Sequence, residues 1–134
     1  MKNFEHYKKF MFFEDPLLEF ARRGNLEGVK MSVNIVNLDS KDKKGYSPLM
    51  WAAHNGHFEV VKLLLSLEAD ILSRDHHGNS VLMAAVFKNH LPIVKLLLDK
   101  GADPDACNYN KQTALVFART FGLRAIERIL TRAS

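Results

Sequence analysis

The residues of this chain best able to do chemistry are its histidines. His54 and His57 stand three apart in the stretch WAAHNGH, residues 51 to 57, and His76 and His77 are neighbours. Neutral imidazole ligates metals and acts as a general base near neutral pH, so two on one helical turn are half of a zinc site. Zinc needs three or four ligands at recognisable spacing, such as H-E-x-x-H or paired C-x-x-C, and neither motif occurs. Adjacent side chains such as His76 and His77 suit neither a helical nor a strand-built ligand pair. Cys107 is the single cysteine; no base stands beside it in the pattern, and no G-x-S-x-G, P-loop or G-x-G-x-x-G is present. The expectation is a protein that is not an enzyme and has no metal, cofactor or small-molecule substrate.

The elements that carry these histidines repeat. DKKGYSPLMWAAHNGHFEVVKLLLSLEAD, residues 42 to 70, aligns with DHHGNSVLMAAVFKNHLPIVKLLLDKGAD, residues 75 to 103, at an offset of 33 throughout. A third copy starts at Asn108, with Thr113, Leu115 and Ala118 under Ser80, Leu82 and Ala85. A fourth lies upstream at an offset of 32, with Leu17, Ala21, Gly24 and Val29 under Leu49, Ala53, Gly56 and Val61. Fixed periodicity of this length marks a solenoid, whose units cannot bury their apolar faces alone and must stack. His57 recurs as His90, so it belongs to the repeat. His54 has no counterpart and is expected in solvent.

Each unit reads as two short antiparallel helices. Ser47, Ser80 and Thr113 can accept backbone N–H bonds as N-caps, and Pro48 suits the first helical turn, where its missing N–H costs nothing. Gly24, Gly56 and Gly122, with Asn89 in the same column, supply the left-handed residue that ends the first helix. LEGV, FEVV, LPIV and RAIE then open the second. Leu49, Ala52 and Ala53 with Val60, Val61, Leu64 and Leu65 form an apolar stripe at helical spacing.

Ser47, Pro48, Leu49, Ala52, Ala53, Gly56 and His57, followed by Val60, Val61, Leu64 and Leu65 and later by Gly101, Ala102 and Asp103, resemble the ankyrin repeat pattern. The resemblance covers residues 14 to 134 as four repeats, about 14–41, 42–74, 75–107 and 108–134. It implies an all-α solenoid of stacked helix-turn-helix units with short loop or β-turn tips. The family's histidine after the leucine is Met50, Met83 and Val116 here. The imidazole hydrogen bonds at that position are therefore absent, and methionine is expected to fill the space.

The family generally holds other proteins on a concave face made of the loop tips and the exposed sides of the first helices. Carried onto this chain, its variable columns give Lys43, Lys44, Tyr46, His54 and Asn55 in the second unit. The third unit gives His76, His77, Asn79, Phe87 and Lys88, and the fourth gives Tyr109, Asn110, Gln112, Thr120 and Phe121. Arg22 and Arg23 continue the row. Tyr46, Phe87, Tyr109 and Phe121 are the expected anchors, because aromatics at the centre of an interface are each worth about 2 kcal/mol or more. Trp51 stands in a column usually held by leucine and is expected to pack with one edge open to a partner.

Composition and charge restrict the remaining classes. At 134 residues, 47% hydrophobic and 25% charged, the chain has the make-up of one ordinary globular domain. Its net charge of +4 sits in residues 107 to 134, where Lys111, Arg119, Arg124, Arg128 and Arg132 face only Glu127; the rest balances. No basic helix or aromatic platform accompanies that surplus, so nucleic acid is not the expected partner. No apolar run approaches the roughly 20 residues that span a bilayer. MKNFEHYKKFMFF is read as no export signal, because Lys8 and Lys9 interrupt it and 10 to 13 is too short an apolar core; an exported chain stripped of its signal would look the same. Residues 1–13 hold five aromatics, with Phe4, Tyr7 and Met11 at helical spacing, and read as a segment capping the open end of the first unit. The expectation is a cytoplasmic monomer that binds, and inhibits or regulates, a protein partner. The other reading is an effector or adaptor subunit acting in a larger complex or a host cell.

Overall fold

The computed structural model describes residues 15 to 34 and 37 to 133. The capping segment expected at 1–13 lies outside the described residues. Among the described residues are eight helices and no strand: α1 (Pro16–Arg23), α2 (Leu26–Ser32), α3 (Pro48–His54), α4 (Phe58–Ser66), α5 (Val81–Phe87), α6 (Leu91–Asp99), α7 (Ala114–Thr120) and α8 (Arg124–Ala133). Each starts or stops where local chemistry requires. Asp15, Ser47, Ser80 and Thr113 accept from the backbone N–H three residues on, at 3.1, 3.2, 3.1 and 3.2 Å. Caps of this kind stabilise a helix by about 1 kcal/mol each. The expected stops are also left-handed, with φ of 73° at Gly24, 80° at Gly56, 60° at Asn89 and 68° at Gly122.

The helices form two layers. In one, α1, α3, α5 and α7 pack in sequence; in the other, α2, α4, α6 and α8 do the same, and each pair closes on itself. Helices of seven to ten residues are marginal alone, so this stacking supplies their stability. Leu17, Leu49 and Leu82 fill one buried column, Phe20, Ala52, Ala85 and Ala118 a second, and Val29, Val61 and Val94 a third. A fully buried leucine contributes about 2 kcal/mol of transfer free energy. In α5, which has neighbours on both sides, every residue from Val81 to Val86 is buried. Met50 and Met83 are fully buried in the family's histidine column, so they fill that space. Val116, in the last unit, is 41% exposed.

His57 and His90 bind one unit to the next. The Nε2–H of His57 donates to the carbonyl of Arg22 at 2.9 Å, and that of His90 donates to the carbonyl of His54 at 2.9 Å. The rings lie so close to the preceding units that a Cβ on Gly24 would stand 2.4 Å from His57 Nδ1, and one on Gly56 2.5 Å from His90 Cε1. Glycine there answers both to its positive φ and to the ring against it.

Candidate protein-binding face

The loop tips are built on one side chain per unit. Asp42 Oδ1 accepts from the N–H groups of Lys44 and Tyr46 at 2.9 Å each. Asp75 Oδ1 accepts from His77 and Asn79 at 2.8 and 2.9 Å, and Asn108 Oδ1 from Asn110 and Gln112 at 3.0 Å each. A short acceptor that satisfies two N–H groups of its own turn is the ordinary chemistry of an Asx turn. The tips are also joined: His76 N–H donates to the carbonyl of Lys44 and Tyr109 N–H to that of His77, both at 3.1 Å. At the base, Lys41 Nζ reaches the carbonyl of Arg74, and Arg74 Nη1 reaches that of Cys107, at 2.8 and 2.7 Å.

Behind the second tip is a polar aromatic cluster. The Trp51 indole lies 4.8 Å from the Tyr46 ring and 6.1 Å from the His54 ring, and its Nε1–H donates to Asp42 Oδ2 at 2.7 Å. Arg22 and Lys44 stand over it at 6.0 and 5.9 Å, within cation–π range. An open cleft of about 710 Å³, lined in part by Glu19, Arg22, Lys43 and Trp51, runs beside the indole. His54 is half buried, in contrast to the solvent position expected for it, because Tyr46 sets its ring edge-on at 5.9 Å and Trp51 closes the other side. Burial first, then the cations of Lys88, His90 and Lys44, lower its pKa. Its Nδ1 is buried with no hydrogen-bond partner. His54 and His57 thus engage different neighbours. Burial, then the carboxylates of Asp75 and Asp42, push the Tyr46 phenol upward. Burial opposes ionisation of Glu19, but hydrogen bonds and charge from Arg22 and Arg23 outweigh it and hold that carboxyl below its usual range.

The far end of the face is apolar. Phe87 meets Phe117 edge-on at 4.7 Å, and Phe117 stacks on Phe121 at 6.1 Å. Phe121 is 52% exposed and Tyr109 73%. The Tyr109 ring covers Gly78, where an added Cβ would stand 2.7 Å from it.

A family model described as "Ankyrin repeats (3 copies)" matches residues 17–108 and again 72–133. The chain belongs to the ankyrin repeat family. Ankyrin repeats are generally non-catalytic protein-interaction modules. The chain is similar to osteoclast-stimulating factor 1 of Danio rerio (43% identical), Monopterus albus (44%) and Bos taurus (39%), each over 54 residues. Each match covers 40% of this chain and 25% of the relative, so the chain matches about a quarter of the length of these curated relatives.

Among the residues assigned to a partner, this ankyrin stack divides three ways. Lys44, His77, Lys88, Tyr109, Asn110 and Phe121 are exposed. Arg23, also exposed, pairs with Glu19. Asn55, Asn79 and Gln112 are held by the fold: Asn55 Nδ2 donates to the carbonyl of Arg22 at 2.8 Å, while Asn79 Oδ1 and Gln112 Oε1 both accept from Asn108 Nδ2, at 2.9 and 3.0 Å. Tyr46, Trp51, His54 and Phe87 lie between, half buried with one side open. Two contributors escaped the sequence reading. Phe117 shares Trp51's repeat column, which signals an aromatic site; Asp42 shares its column with Asp75 and Asn108, which signals the tip acceptor. Among the described residues no group of three His, Cys, Asp or Glu stands close enough to hold a metal ion, and no helix is long and apolar enough to cross a membrane.

Proposed function

We propose that this ankyrin domain, residues 14–134 in four units with 1–13 as its N-terminal cap, is a non-catalytic scaffold that grips a protein partner on its concave face and restrains it. The observation that carries the reading is exposed aromatic surface that the stack itself does not need. Tyr109 and Phe121 are 73% and 52% exposed on the same face as the open edge of Trp51. Large side chains left in water have a use when a partner desolvates them. The scaffold acts as a monomer in the cytoplasm. The adaptor reading is favoured by relatives in which the similar stretch is 25% of a longer chain. Affinity capture from the source lysate separates binding on this face from binding elsewhere. Tyr109→Ala with Phe121→Ala removes exposed rings only, so the variant should fold as the parent by circular dichroism and lose the captured partner. Equal capture by parent and variant rejects the concave face as the site.

A further inference from the structure

We infer that the segment held on this face is an acidic polypeptide stretch, carrying several aspartates or glutamates and an apolar side chain at the end nearest α7. This rests on the concave-face reading and adds the chemistry of the occupant. The three tips, at 42–46, 75–79 and 108–112, and the first helices contain only three carboxylates: Glu19, Asp42 and Asp75. None of them is available to a partner. Glu19 is taken by Arg22 and Arg23. Asp42 holds its own turn and the Trp51 indole, and Asp75, 4% exposed, holds the next turn.

The cations are left outward. Lys43, Lys44, Lys88 and Lys111 are exposed, and among the described residues none of the four forms an ion pair. His76 and His77 stand exposed between them. Exposed carboxylates lie instead on the second helices and the loops that follow, as at Glu59, Glu68, Asp99 and Asp103. Exposed cations also lie on that side, as at Lys62, Lys95 and Lys100, so what sets the concave face apart is that its exposed charge is of one sign, and such a face steers and selects partners of the other. A polypeptide suits it better than a nucleic acid. Its cations are dispersed over three units, and on the last of them Phe121, 52% exposed, offers a seat to an apolar side chain rather than to phosphate.

Trp51 is the only tryptophan, so its emission reports directly from this face. The full chain is titrated with a short peptide of glutamate bearing leucine at every fourth position, with its glutamine counterpart, and with a single-stranded oligonucleotide of equal charge. The glutamate peptide should change Trp51 emission to saturation, weakening as salt is raised, with the glutamine peptide at least about tenfold weaker. Lys43→Glu with Lys44→Glu should weaken it by about tenfold, whereas Lys62→Glu with Lys95→Glu, exposed on α4 and α6, should leave it unchanged. The proposal is overturned by no saturable change, by equal affinity for the two peptides, by equal losses from the two reversals, or by tighter binding of the oligonucleotide. None of those results touches the concave-face reading, which falls separately if the Tyr109→Ala, Phe121→Ala protein captures as well as the parent.

Discussion

Trp51 and Phe117 occupy the same column of the repeat two periods apart, with fully buried Ala84 between them in the third unit. Around Trp51 are a carboxylate on its indole N–H, two cations over its ring, and Tyr46 and His54 at its edges. Around Phe117 are two more phenyl rings. The difference follows from what each ring requires. An indole N–H at a half-buried site needs an acceptor, and Asp42 has a second oxygen left after holding its turn. Asn108, at the same place in the fourth unit, has its amide engaged by Asn79 and Gln112, and a phenyl ring asks for nothing. The face therefore runs from anchored and polar to loosely packed and apolar.

The largest effects expected from this comparison concern the residues that close the two helices. Gly56 follows α3 with the His90 ring against it, and Gly122 follows α7 with nothing within 4 Å of an added Cβ. Gly56→Ala combines a left-handed φ with a clash and should cost about 3 kcal/mol in chemical unfolding; Gly122→Ala meets only the backbone cost, about 1 kcal/mol. Equal losses would mean that the units are not locked by the histidines. Next in size are the rings themselves. Trp51→Ala, at a half-buried site, should lower stability by about 2 kcal/mol, whereas Phe121→Ala should change it by no more than about 0.5 kcal/mol. A Phe121→Ala protein as unstable as Trp51→Ala would show that the far end is structural core rather than spare surface.

The smallest effect is a dependence on pH that only the polar end should have. The folded pKa of His54 lies below the ordinary histidine value of about 6.5, through burial and then through Lys88, His90 and Lys44. Between that folded value and 6.5 the unfolded chain binds more protons, so His54 contributes stability that is present above about 6.5 and is lost as pH falls below it. Phe87 stands in the same column of the next unit, so His54→Phe imports the far end's chemistry. Thermal melts at about pH 7.5 and pH 5.5 should show a smaller acid loss in the variant than in the parent. An equal loss would assign the acid sensitivity to other groups.

What was legible in the sequence is what the backbone dictates. Ser47, Ser80 and Thr113 bond within three residues, and Gly24, Gly56, Asn89 and Gly122 answer to their own φ, so their columns were enough. His57 and His90 were legible because they recur. The surroundings of His54 were not, because they depend on Tyr46 and Trp51 together, a pair of rings that no other unit repeats. Asn79 and Gln112 look like variable surface residues, yet both are joined to Asn108, one of them from the neighbouring unit. A column pattern says where a side chain starts and not which neighbour it reaches.

The bonds between successive tips bear on how tightly a partner can be held. Because Lys44 is tied to His76, His77 to Tyr109, and Arg74 to Cys107, the three turns are links of one strap rather than separate fingers. Separate fingers would each lose freedom when a partner arrived, at roughly 0.5 to 1.5 kcal/mol for every side chain immobilised, with the loop backbone in addition. A strap has already given up the backbone part of that freedom on folding, so contacts made along it keep more of their strength as affinity.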